Sequence, residues 1–367
     1  MHHPQRGRGV ELRVLVCMSG GVDSTVAAQL LIEQGYEVEG LTFWFWSYPA
    51  APDYGGATKC CSLDRAALAA AELGIKQRTI DASDLFYERV LRDYIARYSR
   101  GETPNPCGNC NRHLRFGLAL QYAREHGFDY VATGHHVRLS RDETGTAHLL
   151  RGLDRNKDQT YFLYGLQQED LAHLLFPVGE LTKDEVFAIA RRNGLHAASL
   201  PESQDLCFAI EGRADFLFSE GVICPGPILD TDGNMVGTHD GLVHYTIGQR
   251  RGLGISSATP LYVIGLDAEK NAIIVGQEAD LYSRRLTASE ASFTLGEPRQ
   301  DGMRIDAKIR YRSPAVPGTF HALSGDRFSV DFDVPQRAVT PGQIVALYDG
   351  EEILGGGVID AEGTTVH

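Results

Sequence analysis

Short apolar runs alternate with helix-like segments over the first 135 residues of the chain. The runs with the length and composition of strands are 12–17, 36–45, 75–80 and 130–133. The segments with a helical pattern between them are 24–34, 63–73, 83–98 and 112–126. Repeated strand–helix units predict an α/β fold with a doubly wound parallel sheet. Ligands are then expected at the carboxyl ends of the strands.

The pattern changes further along the chain. A polar turn at 141–146 predicts a β-hairpin, and Thr182 with Glu185 predicts the start of a helix over 182–193. After Cys207, Gly and Pro turns separate short β-branched runs, and from 276 onward the spacing predicts a small antiparallel β-barrel. The predicted divisions are a disordered lead-in over 1–10, an α/β domain over 11–205, a central β-rich adaptor domain over 206–275 and the barrel over 276–367.

Composition narrows the class of protein. The 367 residues are 43% hydrophobic, and no apolar run approaches the roughly 20 residues of a membrane span. The first nine residues are polar and basic, unlike a secretory signal, so we expect a cytoplasmic protein without membrane association. The net charge of −13 disfavours indiscriminate nucleic-acid binding, although local Arg and Lys clusters leave a nucleic-acid substrate open.

The most informative stretch is Ser19-Gly20-Gly21-Val22-Asp23-Ser24, between the first predicted strand and the first predicted helix. Such a turn points backbone N–H groups at an anion, and its glycines let a phosphate approach closely. Asp23 cannot attract phosphate, so its expected role is to hold a bridging Mg²⁺. The Lys of a Walker A loop is missing. The alternative is an ordinary turn with a capping Ser or Asp.

The hexad resembles the pyrophosphate loop of enzymes that cleave ATP between its α- and β-phosphates and attach AMP to an oxygen of a second substrate. The aromatic run at 43–46 fits the floor of a nucleotide pocket and fits a strand core equally well.

Seven cysteines, an odd number in a chain without a secretion signal, predict reduced thiols rather than structural disulfides. Cys60 and Cys61 are expected at a partly buried helix start. Cys110 follows the rigid Thr103-Pro104-Asn105-Pro106 segment and is expected at or just before a helix start. The positive helix end and nearby arginines would then favour a thiolate, which makes Cys110 a candidate nucleophile.

Cys107 and Cys110 form a C-x-x-C pair with three open interpretations: half a zinc site, a thioredoxin-like dithiol, or a pair that works with a distant cysteine. Cys207 is the candidate for that distant partner. A lone cysteine is more often inert filling, so the assignment depends on the neighbouring motifs.

Eight motifs, in order along nearly the whole chain, resemble those of the tRNA-specific 2-thiouridylases, which replace oxygen by sulfur at C2 of the wobble uridine. The matching stretches are S-G-G-V-D-S at 19–24, C-C-S at 60–62, T-P-N-P-C-x-x-C-N at 103–111, A-T-G-H at 132–135, K-D-Q-T-Y-F-L at 157–163, F-P-x-G-E-L-T-K at 176–183, E-S-Q-D-L-C-F at 202–208 and Y-T-I-G-Q-R-R-G-L-G at 245–254.

The resemblance implies roles for individual residues. ATP would be bound by Cys17, Met18, Ser19, Gly20, Gly21, Val22, Asp23, Ser24, Phe43 and Gly134. Cys110 would be the nucleophile, and Cys207 would carry the incoming sulfur as a persulfide. Asn105, Pro106 and Cys107 would face the target base, and tRNA would be contacted by His135, Lys157, Asp158, Gln159, Arg310, Tyr311 and Gln343.

The resemblance also implies an order of events. ATP with Mg²⁺ adenylates O2 of the uracil, and a sulfur carrier or cysteine desulfurase loads Cys207. Sulfur reaches C2 from the persulfide or as hydrosulfide freed by Cys110, which leaves a transient Cys110–Cys207 disulfide. Relatives carry Asp or Cys at the position of Cys107. An alternative is a [4Fe-4S] cluster held by Cys107, Cys110 and Cys207 with an open fourth site for hydrosulfide.

Two rivals come from other classes. Another pyrophosphate-loop ligase, such as an argininosuccinate or NAD synthetase, would not need Cys110 and Cys207. An iron–sulfur redox sensor or a plain tRNA-binding protein would not consume ATP, so the loop at 19–24 disfavours it.

Overall fold

The structure, a computed structural model, describes residues 11–45, 62–202, 206–209, 214–218, 223–298 and 300–361. The predicted lead-in over 1–10, Trp46 and the pair Cys60 and Cys61 lie outside the described residues. Two compact units make up the chain: one comprises 1–90, 107–212 and 351–353, and the other comprises 91–106, 213–350 and 354–367. The domain boundaries drawn from the sequence stay a prediction.

A parallel sheet forms the centre of the first unit. Its strands are β1 (Arg13–Cys17), β2 (Glu37–Trp44), β3 (Lys76–Asp81), β4 (Tyr130–Thr133) and β7 (Leu174–Leu175). They lie in the order β3-β2-β1-β4-β7, which confirms the predicted α/β sheet. Central β1 buries Val14, Leu15 and Val16 completely, as expected of a strand covered on both faces. Strand β7 was not predicted, because two residues are too short to show a hydrophobic period.

The described residues form eight α-helices. They are α1 (Val22–Glu33), α2 (Leu63–Leu73), α3 (Ser83–Phe86), α4 (Arg92–Ser99), α5 (Pro106–Asn109), α6 (Gly117–Glu125), α7 (Gln168–Leu171) and α8 (Lys183–Arg192). One apolar core joins α1 to α2 through Leu31 and Ala66. A second joins α1 to α8 through Val26 and Val186. The helix start predicted at 182 is confirmed, with a reciprocal capping box between Thr182 and Glu185.

Two π-helical segments, Tyr87–Leu91 and Cys110–Phe116, interrupt the helical runs. The second joins α5 to α6, so helical structure begins at Pro106 and not near 112 as predicted. The polar turn at 141–146 joins β5 (Val137–Arg141) to β6 (Ala147–Arg151), which confirms the hairpin.

The second unit contains a small mixed sheet and a closed barrel. The mixed sheet has β8 (Gly226–Leu229), β9 (Met235–His239), β10 (Tyr262–Asp267) and β11 (Ala272–Gly276), in the order β10-β11-β8-β9. The barrel strands are β12 (Tyr282–Phe293), β13 (Arg304–Lys308), β14 (Val316–Ala322), β15 (Phe328–Arg337), β16 (Ile344–Asp349) and β17 (Glu352–Ile359). Antiparallel pairing of β12 with β17 closes it, which confirms the predicted barrel.

Strand register places the candidate site. Cys17, the last residue of β1, pairs with Leu41 of β2 on one side and Thr133 of β4 on the other. The turns that follow β1 and β4 therefore meet at one edge of the sheet, where ligands bind in such folds. Within the described ranges, every helix is too short or too polar to span a bilayer.

Candidate functional site

The turn between β1 and α1 is built to receive an anion. Gly20 has a φ of +76°, and a Cβ there would lie 2.4 Å from Cβ of Arg65 and 2.7 Å from the backbone N of Ala66. A side chain is therefore excluded at Gly20 by both conformation and space. Gly21, at the cap position of α1, has no side chain to accept hydrogen bonds from the first amides of the helix. Those N–H groups remain available to a phosphate.

Two serine hydroxyls hold the shape of this turn. Ser24 Oγ accepts a hydrogen bond from the backbone N of Ser19 at 3.2 Å and donates to the carbonyl of Gly21 at 3.1 Å. Ser19 Oγ lies 3.2 Å from Ser24 Oγ and accepts from the backbone N of Gly21 at 3.3 Å. The loop is thus preorganised by its own side chains before any ligand binds.

Gly134 supports the loop from the neighbouring strand. A Cβ at this position would lie 2.5 Å from the backbone C of Asp23 and 2.5 Å from the backbone N of Ser24. A side chain at Gly134 would therefore push the loop out of position. This explains why glycine is needed at a position that was predicted to lie beside the nucleotide.

One pocket opens over the loop. Its lining comprises Cys17, Met18, Ser19, Asp23, Ser24, Leu41, Phe43, Arg115, Thr133, Gly134, His135 and Gln159. Seven of the ten residues predicted to bind ATP are in this lining, and Gly20, Gly21 and Val22 continue the same loop. Arg115, which was not predicted to bind ATP, adds a cation to the pocket.

Asp23 is engaged within the protein. Each of its carboxylate oxygens accepts a hydrogen bond from Lys183 Nζ at 2.7 Å, and Oδ1 lies 3.0 Å from Nε2 of His136. Burial acts to raise the pKa of Asp23, but the His136 hydrogen bond and the Lys183 charge outweigh it, so the pKa lies below its usual value. Asp23 is therefore a carboxylate at neutral pH.

Lys183 extends this ion pair into a chain of charges. Its Nζ also lies 3.3 Å from Oε1 of Glu202, and Oε2 of Glu202 accepts from Lys157 Nζ at 2.6 Å. Burial acts to raise the pKa of Glu202, but its bond to Lys157 and the charge of Lys183 lower it overall. Two cations and two carboxylates thus balance one another beside the pyrophosphate loop.

Cys17 differs chemically from the candidate nucleophile. Burial raises the pKa of its thiol to about 12, and the charge of Arg115 offsets this only in part. Cys17 is therefore a neutral thiol at physiological pH and serves as pocket wall.

The aromatic residues at the end of β2 belong to the core and also reach the pocket. Phe43, 2% exposed, stacks on Phe45 at 5.4 Å between ring centroids, and Phe45 stacks on Phe86 at 5.3 Å. Phe86 meets the ring of Phe208 edge-on at 6.1 Å. This aromatic ladder, Phe43-Phe45-Phe86-Phe208, runs from the pocket wall to the residue after Cys207.

The structure corrects the predicted setting of Cys110. Cys110 opens the π-helical segment and follows a full turn of α5, so it lies inside a helical run and not at its start. Because the helix-end effect fades within the first turn, that argument for a Cys110 thiolate is wrong. Cys107, the second residue of α5, lies closer to the helix start. Cys107, Cys110 and Cys207 are all partly exposed.

The arrangement of donor side chains bears on metal binding. Across the part of the chain that the structure describes, no three His, Cys, Asp or Glu side chains are grouped to hold a metal ion. Cys107, Cys110 and Cys207 thus do not assemble a cluster site in this arrangement. Asp23 has the donor chemistry for Mg²⁺, but the ion would have to compete with Lys183 for its oxygens.

Family models match three consecutive parts of the chain. Residues 12–211 match the tRNA methyl transferase HUP domain, 214–277 the tRNA methyl transferase PRC-barrel domain and 283–359 the aminomethyltransferase beta-barrel domain. The tRNA-specific 2-thiouridylase of Moorella thermoacetica is 48% identical over 95% of this chain and 99% of its own length. The chain belongs to the tRNA-specific 2-thiouridylase family.

A second 2-thiouridylase, from Nostoc punctiforme, is 45% identical over 95% of this chain and 99% of its own length. Among solved structures, the U34-tRNA thiolase NcsA from Methanococcus maripaludis, with its [4Fe-4S] cluster, is 20% identical over 54% of this chain and 64% of that chain, with a TM-score of 0.34. A likeness this weak carries no inference about the cofactor of this chain.

The tRNA contacts that the 2-thiouridylase resemblance implies in the first unit have internal partners here. His135 is 7% exposed, and its Nδ1 lies 2.8 Å from Thr133 Oγ1 in the pocket wall. Asp158 is 4% exposed and accepts from the backbone N of Gly152 at 3.1 Å. Gln159 accepts from the backbone N of His136 at 2.9 Å, and Lys157 pairs with Glu202. Their contacts with tRNA stay predictions.

In the second unit, the residues for which the resemblance implies tRNA contacts also have partners within the protein. Arg310 donates to the carbonyls of Ile247 and Ala338 and to Oγ1 of Thr340. Lys308 lies 5.5 Å from the ring centre of Tyr311. These contacts hold the loops around the barrel together.

The segment 103–105 is held by the barrel loop that carries Gln343. The backbone N of Thr103 donates to the carbonyl of Pro341 at 2.9 Å, and that of Asn105 donates to the carbonyl of Gly342 at 3.2 Å. Asn105 and Pro106, predicted to face the base, thus directly follow an anchored backbone.

Three residues of the charged network around Asp23 were missed from the sequence: Lys183, His136 and Glu202. Each lies in or beside a motif that carried the family resemblance, and Lys183 closes F-P-x-G-E-L-T-K. For Lys183, the sequence offered one signal: a charged residue at the first position of a predicted helix, at the end of a family motif.

Proposed function

We propose that this chain catalyses the ATP-dependent 2-thiolation of the wobble uridine, position 34, of tRNA. Its support is the pocket formed by the Ser19–Ser24 loop, in a chain 48% identical to a tRNA-specific 2-thiouridylase over 95% of its length. The uracil O2 is adenylated first, with release of pyrophosphate, and AMP is then displaced by sulfur.

In the first half of the reaction, the chain binds and orients ATP. The N–H groups at the start of α1 and the hydroxyls of Ser19 and Ser24 face the phosphates. Lys183 and Arg115 supply positive charge where the departing pyrophosphate gains negative charge. Phe43 and Leu41 provide an apolar wall for the adenine.

Asp23 would hold the Mg²⁺ that accompanies ATP, and the ion would supply charge neutralisation at the phosphates. Lys183 pairs with both Asp23 and Glu202, so its charge stays beside the loop.

In the second half, two thiols are needed for electron balance. Cys207 carries a sulfane sulfur as a persulfide, and its terminal sulfur attacks C2 as the C2–O bond to AMP breaks. The Cys110 thiolate then attacks the Cys207 sulfur, the S–S bond to the new C2 sulfur breaks, and a Cys110–Cys207 disulfide remains. The sulfane sulfur gains two electrons, the two thiols lose two, and an external reductant restores them.

The partners follow from this scheme. The substrates are tRNA and ATP, and a sulfur carrier or cysteine desulfurase supplies the persulfide. Such thiols must stay reduced between turnovers, so the proposed location of the enzyme is the cytoplasm.

The test incubates the purified chain with ATP, Mg²⁺, a tRNA bearing uridine at position 34 and a persulfide donor. Pyrophosphate and 2-thiouridine are both quantified, the latter by nucleoside mass spectrometry. We expect Cys110→Ser and Cys207→Ser to abolish 2-thiouridine while pyrophosphate release continues, and Cys224→Ser, at an exposed position, to leave both unchanged. Full product formation by both serine variants would favour an ordinary pyrophosphate-loop ligase instead.

A further inference from the structure

His136, in the connection between β4 and β5, contacts the pyrophosphate loop directly. It is 2% exposed, and its Nε2 lies 3.0 Å from Oδ1 of Asp23. We propose that His136 is a positioning residue that fixes the rotation of the Asp23 carboxylate and so prepares it to hold the Mg²⁺ that accompanies ATP. The inference rests on the proposed function and adds a role for a side chain outside the pocket lining.

Lys183 holds the place of this carboxylate but not its rotation. Nζ of Lys183 lies 2.7 Å from each of the two oxygens of Asp23, which puts the ammonium group close to the line of the Cβ–Cγ bond. Rotation about that bond changes neither distance, and an ammonium group acts as a point charge without a preferred plane. The rotation of an aspartate carboxylate is itself only weakly restricted, so a second partner away from this line is needed to select one orientation.

The imidazole of His136 is that second partner. It bonds to Oδ1 and not to Oδ2, so the bond survives only in one orientation of the carboxylate. Among the described residues, Oδ2 bonds only to Lys183, so this oxygen keeps the capacity to accept an ion. Hydrogen bonds that orient a carboxylate ligand in this way commonly contribute about 10- to 100-fold to metal affinity.

The direction of this hydrogen bond follows from its two partners. Asp23 is a carboxylate at neutral pH and can only accept, so Nε2 of His136 carries a proton and donates it. Nδ1 is buried and, within the described ranges, has no hydrogen-bond partner. A proton on Nδ1 would be a buried donor without an acceptor, so the ring donates through Nε2 alone.

The backbone of His136 is fixed at both of its polar groups. Its N–H donates to Oε1 of Gln159 at 2.9 Å, and its carbonyl accepts from the backbone N of Gln159 at 3.3 Å. Gly152 packs against the same carbonyl, because a Cβ at Gly152 would lie 2.4 Å from that oxygen. The imidazole therefore extends from a held backbone, as is required of a side chain that orients another one.

Two amide substitutions test the donor. The side-chain nitrogen of Gln takes the place of Nε2 of His, whereas the shorter Asn puts its nitrogen near Nδ1 and does not reach Asp23. Calorimetric titration of the full chain uses an ATP analogue that cannot be cleaved between its α- and β-phosphates, once with saturating Mg²⁺ and once with EDTA. The ratio of the two affinities should fall about tenfold in His136→Asn and stay within about threefold of the wild type in His136→Gln. His173→Asn, at an exposed position, is the control and should keep the wild-type ratio.

A purely structural role for the imidazole would give another pattern. An unchanged ratio in His136→Asn, or an equal fall in the Asn and Gln variants, would overturn the inference. If His136→Asn does not fold in a urea titration, His136→Phe takes its place, since it keeps a buried ring without a donor and should show the same fall. The binding measurement needs neither tRNA nor a sulfur donor. Failure of the wild-type chain to make 2-thiouridine would therefore count against the proposed function alone.

Discussion

The side-chain amide of Gln343 donates a hydrogen bond to the carbonyl of Thr103 at 2.7 Å, across 240 positions of sequence. The neighbouring Gly342 has a φ of +86°, and a Cβ there would lie 3.0 Å from the backbone C of Thr103. The barrel loop thus packs against and hydrogen-bonds to the backbone that leads to Asn105 and Pro106. The family resemblance gives Gln343 a contact with tRNA, whereas its geometry gives it a positioning role.

Replacing Gln343 by Ala distinguishes these roles. Loss of the hydrogen bond should lower the free energy of unfolding by about 1 kcal/mol. It should also lower kcat for thiolation more than it weakens tRNA binding, because the segment before the target-base residues loses its anchor. Urea denaturation, single-turnover kinetics and a tRNA titration measure the three quantities. Gln336→Ala, whose amide donates only two residues away to Val334, is the control. A variant that binds tRNA poorly but turns over normally would instead support a contact between Gln343 and tRNA.

Gly134→Ala should disable the nucleotide site without unfolding the chain. Its new methyl group would overlap the backbone of Asp23 and Ser24, so the loop has to shift. We expect ATP affinity to fall by roughly tenfold or more, equivalent to about 1.4 kcal/mol. Calorimetric titration with a non-hydrolysable ATP analogue measures it. Gly265→Ala, where the nearest atom to a new Cβ would be 3.6 Å away, should bind as the wild type does. Normal affinity in Gly134→Ala would show that the loop tolerates displacement.

Lys183→Met should destabilise the protein in a pH-dependent way. The folded-state pKa of Asp23 is lowered, so its ion pair stabilises the fold above the unfolded pKa of about 3.9 and stops doing so as the pH falls through the folded pKa. Glu202, whose pKa is also lowered, contributes in the same direction. We expect a loss of about 2 kcal/mol at pH 7, below the value for a fully buried pair because Asp23 is 32% exposed.

The measurement is urea unfolding followed by circular dichroism from pH 3 to pH 7, with the difference from the wild type shrinking below about pH 4. Lys270→Met removes an exposed ion pair with Asp267 and should change the stability far less than Lys183→Met does at pH 7, with little dependence on pH. A penalty for Lys183→Met that is the same at pH 3 and pH 7 would mean that lost packing, and not charge, is responsible.

Iron analysis decides between the two sulfur routes. We expect anaerobically purified protein to form 2-thiouridine with a persulfide donor after complete removal of iron by chelation. Iron and labile sulfide near four atoms per chain, with activity that follows the iron content, would instead assign Cys107, Cys110 and Cys207 to a cluster. The unchelated preparation and an EDTA-treated Cys110→Ser variant are the matched controls.

The sequence predicted the features that local patterns determine. The four main strands of the parallel sheet, the loop at 19–24 and the closed barrel follow from apolar runs and turn residues. The Asp23–Lys183 pair could not be read in this way, because its partners are 160 positions apart and only the packing of α8 on α1 brings them together. The internal partners of Asp158 and Arg310 were hidden for the same reason.

The π-helical segment from Cys110 to Phe116 has a consequence for insertions and deletions. A π-helical turn accommodates one residue more than an α-helical turn, and such turns often arise by insertion at functional sites. If this segment became a regular α-helix at unchanged length, Cys110 would turn by about 100° around the helix axis relative to α6. Deleting one residue within 111–116 at the same time would return Cys110 nearly to its present orientation, so the π-helical turn and the length of the segment together determine where the thiol points.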